Sequence, residues 1–72
     1  MMSEVPHFLT KRDQEAFTLY VFDIPVAVLV RVVPYWHGVV IGTDDQYLSE
    51  SRADVVTQIL EAYDWSVYSA NV

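Results

Sequence analysis

The residues with the greatest chemical potential are two histidines, His7 and His37, and four serines in the second half of the chain, Ser49, Ser51, Ser66 and Ser69. A histidine can act as general base toward a serine hydroxyl when a third group orients its ring, or it can hold a metal where other ligands converge. Neither pattern is written locally. The serines lack a glycine-rich elbow, and His37 would have to reach them across the fold. The metal candidates His7, His37, Asp44 and Asp45 carry no HxH, HExxH or EF-hand spacing, and an Asp-Asp pair is ordinarily a turn feature. The only glycines, Gly38 and Gly42, stand four apart with no lysine after them, so there is no phosphate-binding loop. The sequence therefore predicts no catalytic residue, no metal and no cofactor, and the chain reads as a non-enzyme.

The densest group of interaction-prone side chains is the stretch PYWHG, Pro34–Gly38, set between RVV and VVI. Proline cannot continue a central strand and glycine commonly marks a turn, so the stretch is expected as a hairpin turn presenting Tyr35, Trp36 and His37. Tyr and Trp dominate many interface energies, which makes them candidate anchors for a partner. The alternative is that Trp36 folds back as a lid over the end of the sheet.

Charge supplies the second candidate group. The chain has 72 residues and a net charge of −6; residues 37–72 carry Arg52 against Asp44, Asp45, Glu50, Asp54, Glu61 and Asp64. Four basic residues spread along the sequence do not make the clustered positive surface that a phosphate backbone requires, so no direct nucleic-acid binding is expected. A basic partner surface is the natural complement, and Asp44, Asp45, Glu50, Asp54 and Glu61 are the acids assigned to it. Acidity also serves simply to keep a hydrophobic domain in solution.

The elements that must position these groups read as follows. A chain this short forms one domain, 1–72. Residues 1–9 lack periodicity; Thr10 followed by Asp13 suggests a short helix at 11–16. Strands are expected at about 17–24 and 26–33, where aromatic and β-branched residues dominate and both faces are apolar, and a short strand at 38–42. Pro25 separates the first two. A serine cap opens a helix at about 50–63, with an apolar stripe of Ala53, Val56, Leu60 and Tyr63 beside Ile59. The tail alternates as a possible strand at 65–69. The fold class is α+β: a three- or four-stranded antiparallel meander with one main amphipathic helix on one face.

No cysteine is present, MMSEVPHF does not read as a signal peptide, and Val26–Gly42 is too interrupted to cross a membrane, so a cytoplasmic location is expected. With 53% hydrophobic residues in so small a domain, some apolar surface should stay outside and meet a partner. The functional expectation is a small acidic protein-binding inhibitor or regulator that occupies a basic, nucleic-acid-binding surface of a larger protein. In size and charge alone the chain is similar to phage-encoded anti-defence inhibitors, anti-CRISPR proteins among them. The alternatives are a homo-oligomeric structural or regulatory subunit, in which Tyr20, Phe22 and the valine faces pair about a two-fold axis, and a small enzyme.

Overall fold

The structure, a computed structural model, describes residues 5–71. Five strands, β1 (His7–Asp13), β2 (Ala16–Val21), β3 (Ile24–Val32), β4 (Tyr35–Val40) and β5 (Gln46–Ser49), form an antiparallel sheet in sequence order. One helix, α1 (Arg52–Ala62), crosses one face, and a 3-10 segment, Trp65–Asn71, closes the described chain. The α+β meander with a single main helix is as expected, with five strands in place of three or four.

The extra strands come from segments that read otherwise in isolation. The helix expected at 11–16 is instead the end of β1, the Gln14–Glu15 turn and the first residue of β2, and residues 7–9 of the stretch expected to be irregular open β1. A helix that short has no stable nucleus of its own. As a strand, the same residues pair Phe8 with Tyr20 and Thr10 with Thr18, and the Phe8 and Tyr20 rings stack at 4.9 Å. A bulge between Lys11 and Asp13 leaves Arg12 out of register. The fifth strand is β5, in the stretch left unassigned between the strand expected at 38–42 and the helix expected at about 50–63.

Boundaries shift for related reasons. The break between β2 and β3 falls at Phe22–Asp23, not at Pro25. Both turn residues have positive φ, 50° and 65°, the two-residue hairpin geometry whose twist matches the flanking strands. Pro25 sits near the start of β3, where a missing donor costs little. The strand expected at 38–42 is β4 at Tyr35–Val40, because Val32 pairs directly with Tyr35 and the hairpin needs only Val33 and Pro34, joined by a cis peptide, as its turn. The tail expected as a strand at 65–69 is a 3-10 turn. The sheet edge beside β4 is already taken by β5, and Trp65 turns in under the end of α1.

Alternation along the strands gives the sheet two faces. The covered face carries Leu19 and Val21 of β2, Ala27 and Leu29 of β3 and Val40 of β4. These bury against Val55, Val56, Ile59, Leu60 and Trp65, with Val26 joining them at a bulge opposite Leu19 and Tyr20. The helix stripe is rotated relative to the expected one: Val55 is buried and Ala53 is exposed. Ser51 is the N-cap, its hydroxyl accepting from the Asp54 backbone N–H at 3.3 Å. At the other end of α1 the Trp65 indole N–H donates to the Ile59 carbonyl at 3.2 Å, satisfying one of the free carbonyls of the last turn.

Candidate protein-binding surface

The face of the sheet opposite α1 is covered by no described element. The register places Phe8, Thr10, Thr18, Tyr20, Val28, Val30, Val32, Tyr35, His37, Val39, Gln46 and Leu48 on it. Phe8 is 44% exposed, Val32 57% and Leu48 56%, and Val30, Tyr35 and Val39 are exposed beside them. Five strands about 4.8 Å apart and roughly six residues long make a face about 20 Å on a side. An apolar area of about 400 Å² on a small domain is the size at which such patches are usually sites. None of these side chains carries a fixed charge. The two polar groups at the β4–β5 edge satisfy each other, His37 Nε2–H donating to Gln46 Oε1 at 2.8 Å.

The predicted site residues are divided among four places. PYWHG is not a turn: Tyr35, Trp36, His37 and Gly38 all lie in β4 and alternate in direction. Tyr35 and His37 belong to the open face. Trp36 lies on the helix side, half-buried, its ring 5.9 Å from Phe17. The Arg52 guanidinium lies over the Phe17 ring at 4.4 Å and over Trp36 at 5.7 Å, so Trp36 is part of the packing at the start of α1. Asp44 and Asp45 occupy the β4–β5 loop. Glu50 is exposed before α1. Asp54 is engaged within its own helix cap, accepting from the Ser49 hydroxyl at 2.7 Å and the Gln58 amide at 3.3 Å. Glu61 stands exposed in the last turn of α1.

The acids do not form one patch, because the antiparallel topology sends them to opposite ends of the sheet. Glu50 and Asp54 share their end with Asp13, Glu15 and all four basic residues, Lys11, Arg12, Arg31 and Arg52, so formal charge cancels there. The other end gathers Asp23, Asp44, Asp45, Glu61 and Asp64 with no basic residue among those described. There the Tyr63 hydroxyl donates to the Asp45 carboxylate. That bond first, and partial burial second, push the Tyr63 phenol up to about 12. Asp64 accepts from both the hydroxyl and the backbone N–H of Ser66, which hold its carboxyl below the usual range.

Sequence reasoning reached the valine face of Val28, Val30 and Val32 only as the interface of the homo-oligomeric alternative, and missed Phe8, Val39 and Leu48 as part of the same face. The signal was present in strands apolar on both faces, since one helix can cover only one of them. Among the described residues, no group of three or more His, Asp or Glu side chains converges to hold a metal, and no helix is long and apolar enough to cross a membrane. Compared with protein-family models, with curated proteins and with solved structures, the chain matches none.

Proposed function

We propose that this chain is a small inhibitory or regulatory protein that acts by covering a surface of a larger protein partner. The observation that carries the reading is the uncharged apolar face of the sheet, left open in a domain that has one helix to bury two apolar faces. The acidic end, Asp23, Asp44, Asp45 and Asp64, supplies the charged rim and favours a partner whose surface is basic beside an apolar patch. Surfaces that bind nucleic acid have that character, and an acidic occupant there competes with phosphate. Glu50 and Asp54 drop out of the rim because basic neighbours offset them. A cytoplasmic setting and the likeness in size and charge to phage anti-defence inhibitors belong to this reading.

The test is capture of a partner by the immobilised chain and by two variants, Val30→Lys/Val39→Lys and Asp44→Lys/Asp45→Lys, at low and high salt. The expected outcome is loss of capture with the first and weakened, less salt-sensitive capture with the second. A partner held equally by all three proteins at every salt concentration sinks the proposal.

A second reading, a homodimer through the same face, is favoured by one observation: the face has no charge to repel its own copy, and its His37–Gln46 pair needs no outside partner. Two such sheets can stack at about 10 Å. Light scattering decides it. A dimer abolished by Val30→Lys/Val39→Lys supports it, and a strict monomer at high concentration removes it.

A further inference from the structure

We infer that the groove between β1 and α1, on the helix side of the sheet, is a binding site for a linear aliphatic monocarboxylate. The helix lies over β4 and β5, leaving uncovered the part of the same face that belongs to β1. The result is a half-open cavity of about 510 Å³, within the size range of ligand pockets. Leu9 from β1 and Val56 and Leu60 from α1 line its middle, so its centre is apolar.

Its ends differ in charge. Arg52 lines one end, its guanidinium fixed over the rings of Phe17 and Trp36 and making no ion pair among the described residues. Arg52 is the fixed positive charge in the lining; Lys11, across from Phe17 in the register and on the same face as Leu9, lies outside it. A guanidinium seated against aromatic rings, with no carboxylate paired to it, has N–H donors to offer a ligand carboxylate. At the far end stand His7, whose Nδ1–H donates to the Val5 carbonyl at 2.7 Å, and Glu61. A second carboxylate would meet Glu61 there, which selects a ligand with one anionic end. From Arg52 to Leu60 the helix rises about 12 Å, the reach of an extended chain of about ten carbons.

This site shares Phe8, at the β1 edge, with the open sheet face and does not depend on the proposal made for that face. The test is titration of the full chain with decanoate, 1-decanol and decyltrimethylammonium, each below its self-association threshold, followed by heteronuclear NMR. Decanoate is expected to shift the amides of Leu9, Arg52, Val56 and Leu60 and the Trp36 indole, and to bind at least about tenfold more tightly than the cationic chain. Arg52→Gln is expected to remove that preference. Ala53→Trp, at an exposed position lining the groove, is expected to block binding by all three without touching the core. Equal affinity for the three probes, shifts confined to Val30, Val39 and Leu48 of the open face, or no shift at all overturns the assignment. The comparison of probes on the unaltered chain stands even if Arg52→Gln fails to fold.

Discussion

Gly38 of β4 lies directly beneath Val55 of α1: a Cβ placed on the glycine would stand 2.7 Å from Val55 Cγ1 and 3.0 Å from Ile59 Cδ1. Val55 is β-branched and fully buried, so it has no alternative rotamer to retreat into. The missing side chain at Gly38 is therefore what sets the distance between helix and sheet. Gly38→Ala is expected to destabilise the fold by about 1–3 kcal/mol through overpacking, read as a lower urea midpoint at unchanged slope. An unchanged midpoint would mean that α1 is free to lift.

Trp65 holds the other end of α1. Its ring is buried, contacts Tyr63 at 5.1 Å and Tyr68 at 5.5 Å, and its N–H reaches the Ile59 carbonyl. Trp65→Ala is expected to cost about 3–5 kcal/mol, near the whole stability of a domain this size. Trp65→Phe, which keeps most of the ring and loses the hydrogen bond, should cost about 1–2 kcal/mol by chemical denaturation.

The β2–β3 turn holds two non-glycine residues at positive φ. Phe22 packs against the core, but Asp23 is exposed and contributes no core contact. Asp23→Gly relieves the left-handed backbone at that position and is expected to stabilise the fold by about 0.5–1 kcal/mol. A lower melting temperature for this variant would argue against the turn geometry.

The Tyr63–Asp45 contact predicts a dependence on alkaline pH. The folded phenol titrates near 12 against an ordinary 10, so its contribution is fully present below pH 10 and disappears as pH rises to about 12. In a tyrosinate absorbance titration, Tyr63 should ionise late, and Asp45→Asn should bring its midpoint back toward 10. Tyr63→Phe should remove the late step altogether.

Lysine at Val30 or Val39 should leave stability within about 0.5 kcal/mol, since both side chains are exposed in the isolated chain. The same changes should abolish binding through the open face. Loss of stability in place of loss of binding would show that the face is covered within the chain itself.

Much of the architecture is legible in the residues alone. Aromatic and β-branched runs mark β2 and β3, Ser51 caps α1, and valine, leucine and isoleucine in α1 repeat at helical spacing, because these signals act over a few neighbouring residues. β1 was not legible, since its local signal favours a helix and only pairing with β2 overrides it. PYWHG likewise looked like a turn because Pro34 and Gly38 bracket it. In the fold Gly38 is there for the close approach of Val55, not for a turn.

What the sequence by itself determined is that two apolar strand faces must be served by one amphipathic helix, and that the chain carries more acid than base. Which face stays open, and where the charges meet, only the tertiary structure decided. Alternation is symmetric between two apolar faces, so nothing local distinguishes them until the helix docks where a glycine lets it come close. Lys11, Arg31 and Arg52 are far apart along the chain, and hairpin register together with the start of α1 brings them to one end, which no reading of neighbouring residues can do.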